Sequence, residues 1–403
     1  MIRRELYLEQ LQGLIGKPFI KVLTGIRRSG KSSILALLKE ELSISVGPGH
    51  IIYFNLEVIE GDGFPNAEAL HTAIIDRIKD DKTYYIFLDE IQNLSGWERV
   101  VNSLFASKPV DIYITGSNSR LLSSELATLL AGRYVEIPIR TLSFREYLQF
   151  KAQFGDGEKD PPKAVWDYIK LGGFPALHIA EYDDASVESI IKDIYASVLL
   201  RDTIQRHHIR NIDLLERIIR FLLDNTGNLF SARTITAYMK HENRKADVET
   251  VYNYIHALES AFIIKKAPVY DIRGRGHLAF REKYYPGDIS LIYAALDHNF
   301  NRISGILESI IFTELERRGY DVYVGKLDNR EIDFIGIRGA EKIYVQAVYL
   351  LGDNKETIDR EFGAFKGIQD NYPKYVVSLD ERWSDNIAGI RRLHLADFLL
   401  GPY

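Results

Sequence analysis

The sequence predicts an α/β fold that begins with a parallel sheet, and three stretches predict it. Phe19–Gly25, "FIKVLTG", is a short apolar run ending in glycine, and the "KSSILALLKEEL" that follows repeats leucine and isoleucine at helical spacing. Thr83–Gln92, "TYYIFLDEIQ", is a second apolar run that ends in two acids, and "VDIYITGSNSRLL" is a third with polar residues at its C-terminal end. Apolar runs of strand length alternating with helical patterns read as buried parallel strands joined by crossover helices.

A chain of 403 residues exceeds what one ordinary core organises, so two or three domains are expected. Hydrophobic residues at 46% and charged residues at 27% describe a soluble globular protein. No run reaches about eighteen apolar residues. The opening "MIRRELYLEQLQG" has no apolar stretch behind its arginines. Neither a membrane span nor a secretion signal is therefore expected, and the cytoplasm is the expected compartment. Zero cysteines exclude disulfides and thiolate zinc sites, leaving oxygen ligands and histidine for any metal. A net charge of −5 carries no global footprint for nucleic acid, so a DNA contact requires a local basic face.

Between the first strand and its helix, Gly25, Gly30, Lys31 and Ser32 fill the G-x-x-x-x-G-K-[ST] template of a phosphate-binding loop. Glycines let backbone N–H groups curl around phosphate oxygens, and the helix N-terminus adds partial positive charge. Lys31 then reaches the β/γ-phosphates and Ser32 ligates Mg²⁺, with Arg28, Ser29 and Ser33 completing the cofactor-binding set. At the end of the second strand, Asp89 is placed to hold the Mg²⁺ water shell and Glu90 to polarise an attacking water. Two acids there would equally start a helix. Ligands of open parallel sheets lie beyond the C-terminal strand ends, which puts Thr115, Ser117 and Asn118 on the γ-phosphate side. Asn118 stays open between orienting the water and capping a turn. Gly132–Arg133 closes the helix "RLLSSELATLLAG" and precedes a last strand, "YVEIPI". Arg133 sits at the sheet margin, far from its own loop, which suits either a finger given to a neighbouring subunit or a plain surface arginine.

The stretches "GIRRSGKSS", "FLDEIQNLSGWERVVNSL", "ITGSNS" and "AGRYVEIPIRTLSFREYL" resemble the AAA-type (AAA+ superfamily) ATPase domain of a widespread group of bacterial and archaeal ATP-binding proteins. The resemblance covers residues 1–150 and implies a P-loop NTPase parallel sheet with inserted strands between the nucleotide loop and the acids. It further implies ATP and Mg²⁺ as cofactors, assembly into a homo-oligomeric ring or partial ring, and Arg133 acting in trans.

"FGDGEKDPPK" reads as a linker or loop, after which helical periodicity takes over in residues 151–210. "YIKLGGFPAL" and "IYASVLLRDTIQRHHIR" resemble the small helical lid of the same group. Such a lid closes over the adenine and couples nucleotide state to movement. Arg201 stays open between a phosphate sensor and an ion-paired surface residue, and His207 and His208, being adjacent, make a poor metal pair. Residues 211–290 give three helices, "LLERIIRFLLDNTGN", "SARTITAYMKH" and "DVETVYNYIHALESA", then a hairpin pattern, "FIIKKAPVYDIRGRGHLAFREKYY". They look like a winged helix-turn-helix, which also follows the lid in the resembled group. A DNA-binding reading puts Thr250, Asn253 and Tyr254 near base edges and Lys265, Lys266, Arg273 and Arg275 on phosphates. Asp247, Glu249 and Glu259 repel phosphate, so protein contact stays open.

Residues 291–403 begin with a helix followed by three strands, with Glu308 on the helix, Asp333 on the second strand and Gln346 on the third. This resembles a small α/β, restriction-endonuclease-like (DUF4143-like) domain, in which a helical Glu, a strand Asp and a Glu or Gln, then Lys two residues later, bind Mg²⁺ and activate water. Val348 stands at the lysine position and cannot stabilise developing charge, so the domain is expected to be degenerate and inactive. Lys342 and Lys355 remain as replacements from elsewhere. The expected whole is an oligomeric, Mg²⁺-dependent ATPase that couples nucleotide state to double-stranded DNA or a protein partner. The alternatives are an ATP-latched signalling or scaffold module without DNA binding and an ATP-gated nuclease. A small-molecule kinase is disfavoured because no acceptor pocket is legible.

Overall fold

The computed structural model describes residues 2–57, 64–117, 130, 132–155, 160–242, 244, 246–274, 276–296, 302–352, 355–380 and 386–402. The chain divides into two compact units, Met1–Thr141 with Ser260–Phe262, and Leu142–Glu259 with Ile263–Tyr403. No helix among the described residues is long and apolar enough to cross a membrane.

The first unit runs α1 (Glu5–Gly13), β1 (Ile20–Thr24), α2 (Lys31–Val46), β2 (Ile51–Asn55), α3 (Ala67–Ile75), β3 (Tyr84–Asp89), α4 (Trp97–Ser107), β4 (Val110–Gly116) and β5 (Tyr134–Pro138). Its sheet has the order β2-β3-β4-β1-β5, and every neighbouring pair is parallel. The strands read as continuous apolar runs because helices cover both faces. Ile86 and Leu88 of β3 pack with Leu70, Ile74, Val101 and Leu104 from α3 and α4. Phe87 between them joins Leu8 and Leu11 of α1 and Leu35 and Leu38 of α2 on the other face. The loop after β1 and the acids after β3 share the C-terminal edge of the sheet, with β4 inserted between them.

One charged pair lies inside this sheet. Lys21 of β1 and Asp111 of β4 are both buried and ion-paired. Asp111 Oδ2 also accepts from Tyr113 OH (3.0 Å) and Gly16 N (2.8 Å), and Lys21 Nζ donates to Lys17 O (3.0 Å). With these lone pairs satisfied the pair is tolerated, and removing one partner would cost about 3–5 kcal/mol.

The second unit opens with α5 (Phe144–Phe154), α6 (Pro161–Leu171) and α7 (Asp184–Ser197), which passes into a π-helix, Val198–Gln205. Three helices follow, α8 (Ile212–Asp224), α9 (Ala232–His241) and α10 (Val248–Ser260), then the antiparallel hairpin β6 (Ile264–Asp271) and β7 (Gly276–Pro286). The remainder comprises α11 (Ser290–Ala295), α12 (Ile303–Arg317), β8 (Asp321–Leu327), β9 (Arg330–Arg338), β10 (Glu341–Ala347), α13 (Lys355–Gly363), β11 (Lys374–Ser378), β12 (Asn386–Ile387), β13 (Ile390–His394) and α14 (Leu395–Leu400). Helices α9 and α10 carry N-terminal caps. Ser231 and Thr234 form a capping box on α9, and Asp247 Oδ1 accepts Thr250 N (2.7 Å) at the start of α10.

The hairpin expected as a wing extends the C-terminal sheet, because β6 pairs in parallel with β8. The sheet order is β12-β13-β11-β10-β9-β8-β6-β7, so the segments read from the sequence as 211–290 and 291–403 share one sheet. Helix α12 lies close beneath the turn after α8, where a Cβ on Gly305 would stand 2.6 Å from Thr226 O.

His178 is buried in this unit, its Nε2–H donating to Gly172 O (2.9 Å) and its ring edge-on to Tyr147. Burial lowers its pKa from 6.5 to about 4, against the opposing pull of the Gly172 bond. The unfolded chain thus takes up a proton that the folded chain refuses. The site is neutral to stability above pH 6.5 and destabilises as pH falls from there towards 4, by up to about 3 kcal/mol. The melting temperature is expected to fall between pH 7 and pH 4.5, and to fall less in a folded His178→Gln variant; equal slopes would assign the loss to other groups.

Candidate nucleotide site

Strand β1 delivers the chain into the loop Gly25–Gly30, and Lys31 is the first residue of α2. Gly25 (φ +139°) and Gly30 (φ +99°) take backbone conformations that side chains disfavour, and Arg28 is left-handed at φ +65°. Gly25 is required twice over, since a Cβ there would stand 2.0 Å from Ile139 O.

Lys31 is buried, and its Nζ donates to Gly25 O (2.9 Å) and Ile26 O (3.1 Å) and lies 4.0 Å from Glu90 Oε1. Ser32 Oγ donates to Asp89 Oδ1 at 3.0 Å. Thr115 Oγ1 donates to the same oxygen while accepting Glu90 N at 2.8 Å. Tyr53 OH reaches Asp89 Oδ2 at 3.4 Å. Burial raises the pKa of Asp89, and the hydrogen bonds from Thr115 and Ser32 oppose it. Glu90 follows β3 in a left-handed conformation (φ +52°). For a residue with a Cβ this costs about 1–2 kcal/mol. Strain of this kind concentrates at functional positions. Its Oε2 accepts from Gln92 Nε2 and from Ser117 Oγ (3.4 Å).

These residues fit a Mg²⁺-bound nucleoside triphosphate. Mg²⁺ takes one or two protein oxygens together with phosphate and water, and Ser32 with Asp89 supplies such a pair at the start of α2. The buried Ser29 hydroxyl has no hydrogen-bond partner among the described residues, which leaves it a donor for the loop's ligand. Ser33 and Arg28 are exposed on the same loop and first helical turn. Asn118 lies outside the described residues.

Arg133 is exposed just before β5, and its carbonyl accepts Ile20 N (2.8 Å) at the N-terminal end of β1. The five residues of β1 separate it from the loop, a span of about 16 Å. Sequence reasoning missed Tyr53, Gln92 and Arg4, whose Nη1 donates to Ser29 O in the loop at 2.8 Å. Gln92 sits two residues past Glu90 within the quoted acidic run, whereas nothing in the sequence marks Tyr53 or Arg4.

Five of the seven residues expected to meet DNA have partners within the chain. Thr250 Oγ1 donates to Asp247 Oδ2 (2.8 Å), and Tyr254 OH reaches Asn211 O (3.5 Å). Lys265 pairs with Glu316 (2.6 Å), Lys266 with Glu282 (3.3 Å) and Arg273 with Asp328 (2.8 Å). Asn253 is exposed, and Arg275 lies outside the described residues.

Glu308 on α12, Asp333 on β9 and Gln346 on β10 do converge. Asp333 Oδ2 accepts Ala347 N (2.9 Å), and Gln346 Oε1 accepts Asp333 N (3.3 Å). Val348 is buried in the core, Lys342 lies 3.8 Å from Asp370, and Lys355 is exposed. The lysine among the acids is Lys283 of β7, almost wholly buried, with Nζ 2.7 Å from Glu331, 3.0 Å from Glu308 and 3.4 Å from Asp333. Burial opposes its charge, yet Asp333, Glu308 and Glu331 together raise its pKa and keep it an ammonium. Burial and the charge of Asp333 raise Glu308 in turn. Among the described residues no group of three or more His, Cys, Asp or Glu side chains is arranged to hold a metal ion.

Gly25→Ala is expected to abolish nucleotide binding in a protein that still folds through its second unit, measured by titration with a fluorescent ATP analogue. Lys31→Ala should weaken the same binding at least tenfold, and retained affinity in both variants would remove the loop from the site.

Residues 17–148 match the AAA domain family, and residues 162–302 match a domain of unknown function (DUF8612). An uncharacterized protein of Haemophilus influenzae is 38% identical over 99% of this chain and 99% of its own length. The uncharacterized protein MJ1544 of Methanocaldococcus jannaschii is 30% identical over 87% of this chain and 79% of its own. The Walker-type ATPase PABY2304 of Pyrococcus abyssi covers 73% of this chain and 96% of its own at 15% identity, with a TM-score of 0.53, a likeness of fold. Matched to the Haemophilus protein from end to end, with an AAA domain built around the phosphate loop, the chain belongs to that protein's family.

Proposed function

We propose that the first unit binds ATP with Mg²⁺ on Gly25, Arg28, Ser29, Gly30, Lys31, Ser32 and Ser33 and hydrolyses it to ADP and phosphate within a homo-oligomer. The observation that carries this reading is the Ser32–Asp89 hydrogen bond lying beside a strained Glu90 and the Lys31 ammonium. Lys31 exchanges its loop carbonyls for phosphate oxygens, and Ser32 and Asp89 hold the Mg²⁺ side. Bound Mg²⁺ neutralises charge on the β- and γ-phosphate oxygens. Glu90 accepts the proton of the attacking water, with Gln92 and Ser117 fixing its carboxylate, and Asn118 orients that water. Arg133, remote from its own loop, serves the site of the next subunit.

The output of the cycle goes to a protein partner in the cytoplasm rather than to duplex DNA. Lys265, Lys266 and Arg273 would have to exchange carboxylates of their own unit for DNA phosphates, which supports this choice. A saturable, salt-sensitive stimulation of ATP turnover by duplex DNA would reverse it.

Glu90→Gln is expected to keep ATP affinity and lower turnover by about 10² or more. Arg133→Ala should also bind and lower turnover by about 10³. Mixing the two inactive variants should restore part of the rate, because some interfaces then combine an intact Glu90 with an intact Arg133. Phosphate release that stays at the level of the separate variants would exclude the trans arrangement.

A further inference from the structure

The segment that leaves the first unit is fastened at three points to the end of β1 and the phosphate loop. Ile139 N donates to Thr24 O (2.7 Å), and Ile139 O lies against Gly25 where a Cβ would stand. The third point is a side chain. Arg4 is 3% exposed, and its Nη1 donates to Ser29 O in the loop at 2.8 Å. Its Nη2 donates to Arg140 O (2.9 Å) and Thr141 O (3.3 Å). One planar guanidinium thus joins the loop to the last two residues of the Met1–Thr141 segment, after which the chain continues at Leu142.

Arg4 is itself held. It precedes α1, its carbonyl accepts Tyr7 N (3.1 Å) and Leu8 N (3.2 Å), and its guanidinium carbon stands 4.6 Å from the centre of the Tyr7 ring. The Tyr7 hydroxyl completes the frame by accepting Arg140 N at 3.1 Å. A fork of fixed geometry with donors on both sides transmits displacement between carbonyls, which a lysine, a single flexible point charge, does not.

We propose that Arg4 is a positioning residue that couples phosphate engagement in the loop to the exit segment Ile139–Thr141. The inference rests on the nucleotide reading of that loop. When phosphate draws the loop backbone in, Ser29 O moves, and Arg4 carries the shift to Arg140 O and Thr141 O. Nucleotide state then reaches the start of the second unit's sequence through a buried side chain. A merely structural Arg4 would stabilise the unit equally in every nucleotide state.

Amide hydrogen exchange over the peptide spanning Glu136–Arg145, with and without ATP and Mg²⁺, separates these roles. In the wild type, ATP is expected to slow exchange there. Arg4→Lys should bind ATP within tenfold of wild-type affinity, lose that ATP-dependent slowing and show a lower kcat with a smaller change in KM. Should Arg4→Lys fail to fold, Tyr7→Phe, which deletes the bond to Arg140 N, should weaken the slowing. A full ATP response in the folded variant overturns the proposal, as does a wild type that binds ATP without any response in this peptide. A wild type that binds no ATP would instead sink the nucleotide reading itself.

Discussion

The carbonyl of Ile139 stands where a side chain at position 25 would begin, so the loop after β1 and the strand end after β5 meet backbone to backbone. That approach sets the geometry of the site. It fixes the curl of Gly25–Gly30 against a rigid wall and hands α2 its first residue, Lys31, pointing back into the loop. Because β4 lies between β1 and β3, the acids arrive one strand away rather than alongside. Thr115 at the end of β4 anchors them there, donating to Asp89 and accepting from Glu90 N.

The parts of this arrangement legible in the sequence are those imposed by local chemistry. Double-sided burial makes β1, β3 and β4 contiguous apolar runs, and a loop that must wrap phosphate needs glycines at fixed offsets from a lysine. The parts that were not legible depend on which strands become neighbours. Lys21 and Asp111 interrupt two apolar runs, and only the β1–β4 pairing explains why both charges are tolerated. Arg4 acts on partners 25 and 136 residues away, and no spacing rule anticipates that. Lys283 sits in a stretch that reads as the polar strand of a wing, yet it is buried because its hairpin joins the C-terminal sheet.

That joining also changes what the second unit offers a partner. A hairpin free to lie on phosphates would keep its cations exposed and unpaired. Here Lys265 and Lys266 are drawn to Glu316 and Glu282, and Arg273 to Asp328 on the turn beyond β8. At the helical end, Thr250 is occupied as part of the α10 cap. The position of an absent third-strand lysine is taken by Val348 in the core, while Lys283 balances the acids from the opposite side. Lys265, Lys266 and Arg273 thus each meet a carboxylate of their own unit.

In the proposed function, the first unit hydrolyses ATP at a site completed by a neighbouring subunit. Phosphate release by the wild-type protein, with saturating ATP and excess Mg²⁺ and over a wide range of protein concentration, tests it most directly. Specific activity should rise with concentration and then level off as neighbours fill. Activity per chain that is constant down to the lowest concentration would contradict completion in trans, and no release at any concentration would contradict hydrolysis altogether.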